Sequence, residues 1–181
     1  MSCITTYTGK HFDPTQPDIE QIDIRDIAHA LSLICRGNGH VKTFFSVAQH
    51  CINCAREAEA RKLPGRVILA CLLHDAGEAY LSDVPRPLKP SMPEYVRTEE
   101  ALLEVIYTGF LGSPLTEAEQ KLVKEIDDDM LYYDLLELLN EPSEREAPKL
   151  LIDLDYRVQP FAQVEATYLQ LYEKWRQDNG N

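Results

Sequence analysis

The chain has 181 residues, 44% of them hydrophobic and 27% charged, enough for one domain with a sizeable core. A formal net charge of −12 argues against gripping a nucleic-acid polymer through a broad basic face, yet leaves room for a small phosphorylated substrate in a locally positive or metal-filled pocket. No apolar run is long enough to span a membrane, and the N-terminal MSCITTYTGKHF lacks the apolar stretch of a signal peptide, so a cytoplasmic location with no membrane partner is expected.

In chain order, residues 3–13 read as two short strands around TGK. From Asp23 to about Cys35, Ile24, Ile27, Ala28, Leu31 and Ile34 recur at helical spacing, and the glycines of RGNGH (36–40) end that helix. A second helix is expected over Thr43 to about Lys62, broken by LPG, and a third from about Arg66 to Tyr80. SDVPRPLKPSMP (82–93) holds four prolines and must be an irregular loop, because proline removes a donor and fixes the backbone. A fourth helix follows over roughly 94–111. Thr116 and Glu119 then form a capping box that opens a fifth, running to about Leu139. NEPSEREAP (140–148) is a solvated loop, and about 159–177 reads as a last helix, with Tyr168, Tyr172 and Trp175 spaced for packing or a subunit contact. The pattern is all-α with a short N-terminal β-hairpin.

Ionisable groups on apolar faces carry the chemistry. At about 100° per residue, Val67, Ile68, Cys71, His74, Asp75 and Glu78 share an arc of roughly 120° on the third helix. Buried carboxylates and imidazoles are costly unless paired or metal-bound, and no lysine or arginine follows Arg66 on that helix. In the fifth helix, Leu122, Val123, Ile126, Met130 and Tyr133 set the inward direction. Asp127 lies about 60° from it, Asp129 about 100°, and Asp128 nearly opposite, so Asp127 is the inward aspartate and Asp134 shares its face. His50 lies on the second helix, where a lone histidine is more often a hydrogen-bonded core residue than a ligand. Together, His50, His74, Asp75 and Asp127 make a mixed nitrogen and oxygen set suited to Mn, Fe, Co, Ni or Zn. Cys51 and Cys54 form a C-x-x-C directly after His50. With no second such pair, and inside a helical pattern, they read as small core residues rather than half of a zinc site. All five cysteines are expected to be reduced.

The arrangement H…HD…D resembles the HD-domain metal-dependent phosphohydrolases. DIAHALSLICRGNGHVKTFFSVAQH (26–50), LLHDAGEAYLSDVPRPLK (72–89) and VKEIDDDMLYYDLLEL (123–138) are similar, in register over about residues 4–140, to blocks of the prophage and phage 5′-deoxynucleotidase branch. The resemblance implies a compact helical bundle: a single HD domain over 1–181, with its core at about 20–140 and a C-terminal extension at 141–181. It implies one divalent ion (Co, Mn, Ni, Fe, Zn or Mg) on His50, His74, Asp75 and Asp127. It also implies an acid/base role for Glu78, phosphate contact by Arg36, and a substrate pocket that includes His40, Asp83 and Lys89. The implied reaction is hydrolysis of deoxynucleoside 5′-monophosphates, in a protein that self-associates. The same ligands would serve a deoxynucleoside triphosphohydrolase given more cations than Arg36, Lys42, Arg86 and Lys89, or a nucleotide sensor that has no need of an acid/base group. Two departures stand out: Gly37 replaces the bulky aromatic that relatives carry after the arginine, and Asp134 replaces a glutamate.

Overall fold

The structure is a computed structural model that describes residues 3–178. A two-residue hairpin, β1 (Ile4–Thr5) and β2 (His11–Phe12), pairs antiparallel with Ile4 opposite Phe12. Among the described residues seven α-helices follow: α1 (Ile24–Leu33), α2 (Val47–Ala60), α3 (Gly65–Leu73), α4 (Glu78–Leu81), α5 (Pro93–Leu111), α6 (Glu117–Leu139) and α7 (Phe161–Asp178). The all-α expectation with an N-terminal hairpin holds for the described residues.

Local chemistry explains most boundaries. Asp23 caps α1 by accepting the Arg25 amide. Ser46 and Gln49 form a reciprocal capping box on α2, so that helix starts after Thr43. The expected Thr116–Glu119 box caps α6, and Gly112 (φ 83°) ends α5 in the left-handed region. Gly37 (φ 57°), Asn38 (φ 52°) and Gly39 (φ 78°) are successively left-handed in the 3₁₀ turn Arg36–Gly39. An aromatic side chain at position 37 would be strained there, which accounts for the glycine.

α3 lies at the centre. Val67 to Leu73 are all buried, as suits a helix that is apolar all round. It packs against α2, α5, α6 and α7, and α7 also packs on α1 and α2. The C-terminal segment is thus part of one contiguous core that includes Val164, Tyr168 and Tyr172.

The third helix does not run unbroken to Tyr80 as its pattern suggests. It ends at Leu73, turns through His74–Gly77 and restarts at Glu78. In the turn the amides of Ala76, Glu78 and Ala79 bond three residues back rather than four. Two carbonyls at the end of α3 find side-chain partners: His74 Nδ1 meets the Cys71 carbonyl at 2.8 Å, and the Tyr168 hydroxyl donates to the Leu72 carbonyl at 2.7 Å. Tyr168→Phe removes that donor and is expected to cost about 1–3 kcal/mol, because a buried acceptor loses its partner. Denaturant unfolding checks this, and an unchanged midpoint would mean that α7 does not anchor the end of α3.

Candidate metal centre

The break after Leu73 sets side chains from α2, α6 and the His74–Gly77 turn against one another. His50 projects from α2 and is fully buried. Its Nδ1 lies 2.8 Å from Asp134 Oδ2, so the carboxylate accepts the Nδ1 proton and Nε2 is turned the other way. Nε2 lies 3.2 Å from Asp127 Oδ1. His74 is arranged alike: the Cys71 carbonyl takes the Nδ1 proton, and Nε2 faces Asp75 Oδ2 at 3.4 Å and Asp127 Oδ1 at 3.7 Å. Both imidazoles therefore present Nε2 to the Asp127 carboxylate, and His74 Nε2 also faces Asp75.

These separations fit the edges of one coordination polyhedron. Donors bonded at about 2.0–2.3 Å to a common ion stand roughly 2.8–3.8 Å apart for bond angles near 90–110°. Two buried atoms without a hydrogen-bond partner, His74 Nε2 and Glu78 Oε2, lie at this centre. Nitrogen lone pairs fixed by partners at Nδ1, with carboxylates between them, are the donor chemistry of a divalent cation.

The electrostatics carry the same demand for positive charge. Burial alone would depress both imidazoles. Around His50 it is reinforced by Arg36, yet Cys54, Asp134 and Asp127 outweigh both. Around His74 the charges of Asp75, Cys51 and Asp127 win. Both are held well above the ordinary range, so protons on the rings answer the carboxylates. Burial would raise Asp127, but the two histidines beside it hold it well below the usual carboxylate range. Asp134 is lowered against its burial by His50, Arg36 and Tyr156. A divalent ion would take over the charge those protons carry, releasing them.

Around this hub lies a cleft of ≈ 430 Å³, lined in part by Arg36, Asp75, Glu78, Asp83, Arg86 and Lys89. Arg36 opens the 3₁₀ turn and reaches Asp75 Oδ2 and Asp134 Oδ2, both at 3.4 Å. Glu78 opens α4 and is 6% exposed. Burial, then the charges of Asp75 and Asp83, push its carboxyl up to about 9. Asp83 is also raised, chiefly by burial. Lys89 lines the cleft, but its ammonium donates to both oxygens of Glu99 at 2.9 and 2.8 Å. His40 is exposed at the end of the 3₁₀ turn and lines neither this cleft nor the ≈ 810 Å³ cavity beside it at His74 and Tyr107.

Four participants were not among the expected site residues. Arg86, in the proline loop, donates to Asp127 Oδ2 at 2.8 Å and Asp128 Oδ1 at 3.0 Å. Tyr156, in the C-terminal segment, donates to Asp134 Oδ1 at 3.0 Å. Cys54 Sγ lies 3.5 Å from His50 Nε2, and the donor atoms of Cys51, His74 and Asp75 lie within 4.8 Å of one another. The C-x-x-C after His50 was a sequence signal for Cys51 and Cys54, and Arg86 stood among the nearby cations, whereas Tyr156 carried none. Asp127 is not the sole inward aspartate of its run. Asp129 is buried on another side, paired with Arg61 at 2.9 Å and Arg145 at 2.7 Å.

Sequence comparison adds no activity. The chain is 44% identical over 106 residues to the uncharacterized protein YfdR of Escherichia coli (strain K12), a match covering 59% of this chain and 57% of that protein. It is 34% identical over 127 residues to an uncharacterized protein of Rhodobacter capsulatus, covering 66% of this chain and 64% of the relative. The chain thus spans less than two-thirds of the length of either relative. No protein-family model matches it. Among the described residues no helix is long and apolar enough to cross a membrane.

Glu78 gives a pH signature. Its folded carboxyl, at about 9, keeps a proton that the unfolded chain releases above about pH 4.3. Stability from this group is full at low pH and is lost as pH climbs from about 4.3 towards 9. Glu78→Gln cannot ionise, so metal-free variant is expected to exceed wild type at pH 8 by on the order of 2 kcal/mol or more, with a much smaller gap at pH 4. Denaturant unfolding at both values checks this, and a gap independent of pH would contradict the burial of an ionising Glu78.

Proposed function

We propose that the protein is an HD-type, metal-dependent phosphohydrolase acting on deoxynucleoside 5′-monophosphates. The observation that carries the reading is the convergence of two histidine Nε2 atoms and the Asp75 and Asp127 carboxylates, with each Nδ1 already held by a partner. His50, His74, Asp75 and Asp127 would hold the ion. When bound, it supplies Lewis-acid charge that offsets a phosphate oxygen and acidifies water.

The remaining work belongs to the chain's own side chains. Phosphoryl transfer depends mostly on positioning and charge stabilisation. Arg36 is the cation best placed to bind phosphate. It lines the cleft, and its contacts to Asp75 and Asp134, at 3.4 Å each, are longer than those that hold the cleft's other two cations. Lys89 and Arg86 are held more tightly, by Glu99 and by Asp127 and Asp128. One guanidinium not committed to a short ion pair favours a single phosphate over a triphosphate. Glu78 holds a proton at neutral pH in the metal-free protein and is placed to give it to the leaving 5′ oxygen, or to orient the attacking water. Asp83 faces the same cleft, where the resemblance puts the sugar.

The test is phosphate release from deoxynucleoside mono-, di- and triphosphates with a panel of divalent ions, before and after chelation. The expected outcome is inorganic phosphate from monophosphates, lost on chelation. Asp127→Asn should lower the rate by at least ~10²-fold, and Arg36→Ala should act mainly through KM. Release of intact triphosphate would replace this reading with a triphosphohydrolase. Saturable nucleotide binding without turnover would replace it with a sensor.

A further inference from the structure

The H-C-x-x-C run of α2 remains unexplained by that reaction. Cys51 and Cys54 are buried, as packing residues would be. Cys54, however, stands one turn after His50 on the same helix face. Its Sγ is 3.5 Å from His50 Nε2, the nitrogen that faces Asp127. The donor atoms of His50, Cys54 and His74 all lie within 4.8 Å of one another.

We infer that Cys54 is a thiolate ligand of the ion at this centre, which selects a borderline or soft divalent cation such as Zn²⁺ or Co²⁺ over Mg²⁺. The inference rests on reading the site as a metal centre, not on the hydrolytic reaction. Two independent observations support it. A sulfur bonded at about 2.3 Å and a nitrogen at about 2.0 Å to one ion, at a tetrahedral angle, stand roughly 3.5 Å apart. His74 Nε2, on a side chain 9% exposed, has no hydrogen-bond partner and belongs to the same donor cluster.

Cys54 is assigned rather than Cys51 because it shares a cluster with both imidazoles, whereas Cys51 clusters with His74 and Asp75. Ligation forms a metal–sulfur bond and breaks the S–H bond, the proton leaving to solvent. A thiolate among imidazoles and carboxylates biases the site toward Zn, Co, Fe(II) or Ni, because oxygen-seeking ions gain little from sulfur.

The test titrates Co²⁺ into the full chain after chelator treatment, following the near-ultraviolet thiolate-to-cobalt charge-transfer absorption and the visible d–d bands. Wild type is expected to show both. Cys54→Ser should keep the d–d bands, lose the charge-transfer band and bind cobalt roughly 10- to 100-fold more weakly, at least the loss typical of a missing outer partner. Cys51→Ser should retain the band. Cys54→Ala serves as a second variant, with thermal unfolding of the metal-free forms confirming that each is folded. A wild-type complex without the charge-transfer band overturns the inference, whatever the variants do. So does a band that survives in Cys54→Ser and Cys54→Ala. Failure of wild type to bind cobalt overturns the metal-centre reading with it. A Cys54-dependent band in a protein that releases no phosphate upholds the ligand and overturns the hydrolase alone.

Discussion

Carboxylates taken out of water must meet positive charge, and that requirement organises this molecule. Asp75, Glu78, Asp127 and Asp134 converge where α2, α6 and the turn after α3 meet, around Arg36, Arg86 and two imidazoles. Leaving any of these charges unpaired would cost several kcal/mol, more than a marginally stable domain can spare. The imidazoles respond by holding protons, and Glu78 by keeping its own. A cation at the shared focus of the Nε2 atoms would relieve all of them, and the fold fixes that focus firmly.

That firmness comes from the apolar structure behind it. α3 is sealed on every side and ends against the site, so its last carbonyls and His74 have little freedom. The C-terminal segment closes the other side. Tyr156 braces Asp134, which orients His50. Glu57, fully buried on α2, accepts the Leu151 and Ile152 amides, and Arg145 pairs with Asp129. Residues beyond 141 thus position the site. They are not an appendage to a finished core.

Much of this was legible in the sequence. Helical spacing of apolar residues, the Thr116–Glu119 box and the proline cluster located the elements, and periodicity separated Asp127 from Asp128. The break at 74–77 was not legible, because His-Asp-Ala-Gly carries no proline and the bonding changes there by one residue, which leaves the apolar pattern nearly intact. The burial of Asp129 depends on Arg61 and Arg145, far apart in the chain, so no local window contains the reason. Tyr156 lies in a segment without periodicity. His40 was carried by resemblance alone, and the left-handed run before it leaves it in solvent. Local chemistry reads well from local sequence; pairings between distant segments do not.

The most direct test of the central claim is an anomalous-scattering map from crystals soaked with Co²⁺. The account predicts one strong peak per chain, bonded at about 2.0–2.2 Å to His50 Nε2, His74 Nε2, Asp75 and Asp127, with Cys54 Sγ at about 2.3 Å. No peak among those side chains, or a peak elsewhere with the imidazoles still paired to the carboxylates, would contradict it.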